Sequence, residues 1–516
     1  MKKLFVLLLT LSLMIGVFCI TAVASSAEDS NTVVMTVSGM TENGSKILTE
    51  HYYNFESAWD DAARYAKDHE WMAQNGVVCI VVDLNADWVA EKGKFGEDNV
   101  GFKESTIYVP ENAKMMINMQ GHTIDRGLTK SEDHGEVIFM GKNSTLIING
   151  GYINDEIVEL GADPGDTKMG TITGGYSDSG AGGIHLDGYN NLVLKNVNIV
   201  GNGTDGERGA GIALFNESTL TMNGGSISNN FLKYYSNVVI VVDLSSEPKG
   251  SLYLKNSTAT LNNVEICDNY FKEGVTSQGS GMAIYATEGS SLTMKDCLVS
   301  GNGSIEVVAE DLVYAKNSTL NITDTDFIDN CTAKVSKWIS GVKKDECMFN
   351  LENSTVYIEG GKITGNASEK LFKMKKTEME MRLVTITDNA SWVMKVDNNE
   401  GQAVTLVNCT LNNNQYPNIH YLYTALRQDI NVNKKNILTI DGGDLGDTTF
   451  NDKSMVAGVG VGSIFGEGSL TMAISLLALV ASIGSICICF VLYNFYKKKV
   501  VPAVAPAAAE ATDDEE

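Results

Sequence analysis

Apolar residues return at every second position in short runs along most of this chain, and the runs themselves recur. Leu220 and Met222 alternate with threonines, a glycine pair follows, and Ile227 resumes the alternation beyond it. Leu292, Met294 and Val299 repeat that spacing. A period of two marks strands, whose successive side chains point to opposite faces; a helix would bring apolar residues back at the third and fourth positions. The runs also share a leading phrase. It reads "NSTLIINGGYI" from Asn143, "NESTLTMNGGSISNN" from Asn216, "NSTATLNNVEICDN" from Asn256, "NSTLNITDTDFIDN" from Asn317 and "NSTVYIEGGKITGN" from Asn353.

Taking the first apolar residue of each copy as a marker gives Ile117, Leu146, Leu192, Leu220, Ala259, Leu292, Leu320, Val356, Met379, Val404 and Leu438, with steps of 23 to 46 residues. The shortest step suits one coil of a stacked solenoid, and the longer ones carry loop insertions. A second strand precedes the Asn-Ser-Thr corner in each coil, with inward pairs expected at Ile184/Leu186, Ile212/Leu214, Met282/Ile284 and Leu312/Tyr314. Glycines in front of these strands, Gly211 and Gly281 among them, allow a sharp bend. Asn269, Asn302, Asn330 and Asn366 fall in one column, where stacked side-chain amides form a hydrogen-bond ladder. The expected fold is all-β, a parallel solenoid of about eleven coils over residues 111–450. Residues 28–110 hold its N-terminal cap and first strands. The cap is a helix over Phe55 to Met72, with Phe55, Trp59, Ala62, Ala63 and Ala66 on one face, ahead of the apolar run at Val77.

The chain ends change the picture from a soluble rod to a displayed one. Lys2 and Lys3, the apolar run from Leu4 to Ile20 and the small residues up to Ala27 predict a secretory signal over residues 1–27. Gly468 to Tyr496 carries no charge and is long enough to cross a ~30 Å hydrocarbon core. Lys497, Lys498 and Lys499 follow it, which leaves the 497–516 tail cytoplasmic. A transmembrane α-helix over 470–496, a Gly-rich linker over 451–469 and an extracellular ectodomain complete the expectation, with the cell membrane itself as the first partner.

A net charge of −25 excludes nucleic acid as a partner, because phosphate binding needs a basic patch, and disfavours polyanions unless a divalent cation intervenes. The six cysteines of the ectodomain suggest core thiols. Cys297 and Cys409 share a column four or five coils apart, and Cys267 lies three residues out of register with Cys297 in the next coil. Only Cys331 and Cys347, bracketing an insertion, are placed to pair. The Asn-x-Ser/Thr sequons at Asn143, Asn256, Asn317 and Asn353 recur at the repeat corner, where turn chemistry explains them without glycans.

With "GSGMAIYA", "LTMKDCLVSGN" and the corner Phe327-Ile328-Asp329-Asn330, the chain resembles the right-handed parallel β-helix, or pectin-lyase-like, superfamily. These repeats are similar to those of polymorphic outer-membrane proteins, although the chain ends in an α-helical anchor where that family has a barrel. The resemblance covers roughly residues 110 to 445 and implies a fold rather than an activity. Pectate-lyase-like relatives would place an Arg or Lys base beside Ca²⁺-binding carboxylates. Arginine is scarce here, and only Arg126 and Arg208 sit near carboxylates within the repeats. His122 in "GHTID" is expected to be structural, with Ile124 buried. The remaining constellation is His185 and Asp187 on one strand face, with Asp205, Glu207 and Arg208 a coil later. A histidine among carboxylates serves acid/base work or holds a cation, so His185, Asp187 and Arg208 are the catalytic candidates. Asp187, Asp205 and Glu207 are the candidates for Ca²⁺, and no other cofactor is expected. The leading expectation is a non-catalytic surface protein that acts in binding or adhesion, toward carbohydrate or proteins of a host or neighbouring cell, or serves as a surface scaffold. The rival is a membrane-tethered polysaccharide lyase or glycoside hydrolase.

Overall fold

The computed structural model describes residues 33–90, 99–151, 168–206, 208–233, 250–271, 281–303, 311–330, 347–399, 401–414, 429–434 and 437–450. The expected signal, linker, span and tail, and Cys331 with its proposed bond to Cys347, lie outside them. Among the described residues no helix is long and apolar enough to cross a membrane.

The N-terminal cap is built from three strands and a broken helix. Strand β1 (Met35–Thr41) pairs antiparallel with β2 (Lys46–Tyr52) on one side and with β3 (Val77–Leu84) on the other. The single helix expected over Phe55 to Met72 is two, α1 (Phe55–Lys67) and α2 (His69–Gln74). Asp68 explains the break. Its N–H closes α1 on the carbonyls of Arg64 and Tyr65, while its carboxylate accepts from the Trp71 N–H and starts α2. An N-capping side chain of this kind competes with helix continuation. The five residues assigned to one helical face are all buried, and Ala58 joins them. Trp59 also donates from Nε1 to the Tyr108 carbonyl at 3.2 Å, which pins the cap to the first coil.

Beyond the cap every coil repeats the same path. One sheet of twelve strands runs from Phe102–Lys103 to Ile430–Val432, parallel but for its antiparallel first pair. A second stack runs from β3 through Lys114–Asn118 to Leu438–Asp441, and a third from Trp88–Val89 to Thr410–Asn412. The last two are joined because Asn191–Val200 and Thr219–Ser228 pass through the bend without a break. Ten of the eleven markers pair in one register, from Leu146↔Leu192 through Ala259↔Leu292 and Val356↔Met379 to Val404↔Leu438. The exception is Ile117. Leu146 pairs with Met115, because Met115, Met116 and Ile117 are three apolar residues in a row and the corner there reads Asn-Ala-Lys in place of Asn-Ser-Thr. Two inward pairs also move. Ile284 stacks under Val313, so Ile284/Ala286 and Val313/Ala315 face the core and Tyr314 faces out. Leu445 is buried at the far end, and Phe450 packs against the core beside it.

Two polar columns line the corners. The asparagine ladder is twice as long as the four residues expected from the pattern. Asn202, Asn230, Asn269, Asn302, Asn330, Asn366, Asn389 and Asn414 stack in order, each 0–4% exposed. From Asn230 onward each amide oxygen accepts the N–H and Nδ2 of the asparagine one coil earlier, as when Asn269 donates to Asn302 Oδ1 at 3.1 and 2.9 Å, while Asn202 at the start accepts the Gly175 N–H. Nδ2 also satisfies a buried strand-end carbonyl, that of Ile266 for Asn302. The residue before every ladder asparagine has positive φ and is Gly, Asn or Asp, the residue types that tolerate it. At the opposite corner Ser257, Ser290, Ser318 and Ser354 are buried, and Asn143, Asn256, Asn317 and Asn353 adopt φ between 47° and 57° with their side chains exposed. The sequon is thus a corner: a left-handed Asn, a buried Ser, and a Thr that opens the strand.

Cys79, Cys297, Cys347 and Cys409 are buried, and Cys267 is half-buried. Cys267 pairs with Ser300, which sets it three residues out of register with Cys297.

Asn302→Ala removes the acceptor of two Asn269 donors and the donor to Ile266. An unsatisfied buried group costs about 1–3 kcal/mol, so the variant should lose at least about 2 kcal/mol in urea denaturation. Asn143→Gly, at an exposed left-handed corner, should change the midpoint little.

Candidate functional site

The outward face of the twelve-stranded sheet carries a column of rings. Successive strands place Tyr108, Phe139, His185, Ala213, Tyr253, Tyr285 and Tyr314 in one register. His185 lies between Phe139 and Phe215, with ring centroids 4.8 and 5.1 Å away and interplanar angles of 17° and 26°. Phe215, two residues on from Ala213, fills the space its small neighbour leaves and reaches Tyr253 at 5.3 Å. Tyr253, Tyr285 and Tyr314 continue the stack. Cations sit over its rings: Lys103 over Tyr108 at 4.0 Å, and Arg208 over Phe215 at 5.0 Å. A cation on a ring face is held by the ring's quadrupole.

The alternation reading placed His185 correctly on the face opposite Ile184 and Leu186, but that face is not open. His185 is only 8% exposed, because flanking rings one strand spacing away exclude water. Asp187 is partly exposed and has Lys142 Nζ at 4.0 Å. Asp205 accepts from the Tyr176 hydroxyl at 2.6 Å and from Ser131 Oγ at 2.5 Å. Arg208 is exposed on Phe215, and Glu207 lies outside the described residues. Among the described residues no hydrogen bond or ion pair joins any two of His185, Asp187, Asp205 and Arg208. Nor does any group of three or more His, Cys, Asp or Glu stand ready for a metal ion. His122 contacts Asp87 at 3.2 Å beside the fully buried Ile124. Arg126 is buried, with Nη2 on the Glu104 carbonyl at 3.1 Å.

The partner of His185 is a residue that the sequence pattern did not single out, Glu136. It is 3% exposed, and its Oε1 lies 3.9 Å from His185 Nδ1. Counting two positions back from the paired Ile138, Ile184, Ile212, Leu252 and Ile284 gives Glu136, Gly182, Ala210, Gly250 and Met282. The next coil adds a second buried acid, Asp311, so this column offered no clean signal for Glu136 before the register was known. Gly180 closes over the pair, since a Cβ there would meet Glu136 Oε1 at 2.2 Å and His185 Nδ1 at 3.0 Å.

Residues 96–320 match the family model described as a right handed beta helix region. This stretch is a right-handed β-helix. No curated protein matches the chain, and no solved structure matches it.

Within the β-helix the two buried groups titrate in opposite directions. Burial lowers the His185 pKa to about 4, with help from the positive charge of Arg208 and from His134. Burial raises that of Glu136, against smaller opposing effects that include a bond from Ser177. A desolvated acid drawn toward its neutral form and a desolvated imidazole held neutral do not make an ion pair at 3.9 Å. Among the described residues Glu136 Oε2, His185 Nδ1 and Arg126 Nε have no hydrogen-bond partner. The arrangement packs well and bonds poorly.

Because the folded His185 pKa lies below the unfolded value, the unfolded chain takes up its proton first. The contribution to stability therefore falls as pH drops from 6.5 toward 4. His185→Phe keeps the stack, removes an orphaned nitrogen and removes this slope. Urea denaturation should show the variant at least as stable as wild type at pH 7. Its advantage should grow by roughly 2–3 kcal/mol by pH 4.

Proposed function

We propose that the chain is a membrane-anchored surface protein whose β-helix binds or displays and does not catalyse. The observation that supports this best is the position of His185. The candidate base is clamped between two phenyl rings, capped by Gly180, and held deprotonated by burial. A general base must reach a substrate proton within hydrogen-bond distance, and an imidazole 8% exposed, with Nδ1 enclosed in the wall, offers a substrate little access. Asp187 and Asp205 are each engaged with other partners. The terminal sequence patterns, a signal over 1–27 and an apolar span over 470–496, support surface display. Carbohydrate or a protein of an adjoining cell surface is the ligand class that an exported solenoid with a long regular face suits.

The full chain, purified in detergent, should bind one member of a panel of neutral and acidic polysaccharides or cell-surface proteins. It should release no reducing ends or unsaturated products, with or without Ca²⁺. Turnover that disappears in Asp187→Ala would establish the lyase or hydrolase reading instead. Alkaline extraction should leave the chain in the membrane fraction, and protease added to intact cells should remove the ectodomain.

A further inference from the structure

Six Asn-Gly pairs occur along the chain, beginning at Asn43, Asn75, Asn149, Asn202, Asn223 and Asn302. Such a pair is open to self-modification, because glycine has no Cβ to keep its backbone nitrogen away from the neighbouring carboxamide carbon. Closing that ring needs an accessible nitrogen, a carbonyl polarised for attack and room for the backbone to turn. The fold distributes these conditions unequally.

In the coils they are withheld. Asn202 and Asn302 are fully buried in the ladder, and the nitrogens of Gly203 and Gly303 donate to the carbonyls of Gly175 and Asn269, each at 2.8 Å. Gly150 likewise donates to Lys195 at 2.7 Å, while Asn149 and Asn223 are tied to Asn118 and Asn262 on neighbouring strands. Asn75 is exposed at the end of α2, but its Nδ2, the group that would leave, is held by the Trp71 carbonyl at 2.8 Å.

Asn43 is placed differently. Its turn, Glu42 to Ser45 between β1 and β2, is exposed throughout, and a Cβ at Gly44 would meet nothing within 4 Å. The Gly44 nitrogen donates to the Thr41 carbonyl inside the same turn, at 2.9 Å, so a local opening frees it without disturbing a coil. The carboxamide oxygen is polarised: Asn43 Oδ1 accepts from the Thr41 hydroxyl at 2.5 Å and from the Ser45 N–H at 3.2 Å. An N–H facing that atom fixes it as the oxygen, and Nδ2 has no partner among the described residues. Two donors on a carbonyl oxygen stabilise the oxyanion that forms when its carbon is attacked.

We propose that Asn43 is a self-modification site, the first asparagine of this chain to become aspartate or isoaspartate. The Gly44 nitrogen loses its proton to solvent base and bonds to Cγ of Asn43, with the Thr41 and Ser45 donors on the developing oxyanion. The Cγ–Nδ2 bond breaks, ammonia leaves with a proton returned from solvent, and a cyclic imide remains. Water then opens the ring at either carbonyl. The net change is one water consumed and one ammonia released, with no oxidant or cofactor. The product adds a negative charge beside Glu42 at the N-terminal end of the solenoid. It depends neither on the membrane span nor on the binding proposed above.

The test ages the full chain in detergent at neutral pH and follows all six sites by peptide mapping and mass spectrometry, scoring aspartate and isoaspartate. Asn43 should convert first, Asn75 more slowly, and Asn202 and Asn302 not measurably while the fold persists. Thr41→Val keeps the β-branch and removes the hydroxyl donor. It should slow conversion of Asn43 about tenfold, less than the ~100-fold effect of losing a donor from an enclosed oxyanion hole. Thr41→Ser should restore the wild-type rate, and equal urea midpoints for the two variants separate a lost donor from a lost fold. In urea the six sites should converge, since the denatured chain holds no turn. Conversion of Asn75 or any coil asparagine ahead of Asn43, or a Thr41→Val rate equal to wild type, overturns the proposal, as does a lead for Asn43 that survives in urea.

Discussion

Everything in this molecule depends on keeping parallel strands of successive coils in register while the chain turns sharp corners. Strands satisfy their own backbone groups, but each corner leaves carbonyls and amides inside the stack, where an unmade bond is costly. The asparagine ladder answers this. One side chain accepts two donors from the coil before, donates to that coil's strand end, and donates onward to the next asparagine. Chains of such bonds polarise one another in a low dielectric. The same residue in the same place, eight coils running, also prevents a slip of the register, because a slipped coil would leave an amide unpaired.

This constraint accounts for the irregular length of the repeat. Asn366 is followed at once by Ala367 of the next strand, and the shortest marker step belongs to that coil. Asn389 is followed at once by Ala390 in the same way, while the chain from Asn230 to Leu252 of the next coil is longer. From Asn202 onward extra residues enter mainly after the ladder bond is made, whereas the longest step takes its extra residues between Asn149 and Gly170. The outward ring column follows from the same register: residues one coil apart are about one strand spacing apart, which is a stacking distance for aromatic rings.

The candidate site shows where physical demands compete. His185, Glu136 and Arg126 are polar groups in a wall built for packing, and three of their atoms go without partners. Burial lowers the His185 pKa and raises that of Glu136 more strongly than their neighbours act on them, which draws both away from the charged forms that acid/base chemistry or an ion pair would use. In the cap the balance differs: the half-buried Glu50 carboxylate is satisfied by the hydroxyls of Tyr65 and Tyr52.

Strand period, coil number, ten of eleven markers, the four central ladder asparagines and the buried helical face were legible in the residues, because each is a local regularity repeated many times. Asn-Ser-Thr marked its corner, and where it was replaced, at Asn112 to Lys114, the first coil was read two residues late. The neighbours of a given side chain one coil away depended on insertion lengths that no local pattern fixes. Glu136 beside His185, Arg208 on Phe215 and Tyr65 on Glu50 join residues from 7 to 49 positions apart. The sequence alone determined that this chain stacks as a parallel solenoid. Only the tertiary structure decided that His185 is buried between rings and that Tyr65 of the helix holds the Glu50 carboxylate, since burial and pairing belong to how separate segments pack.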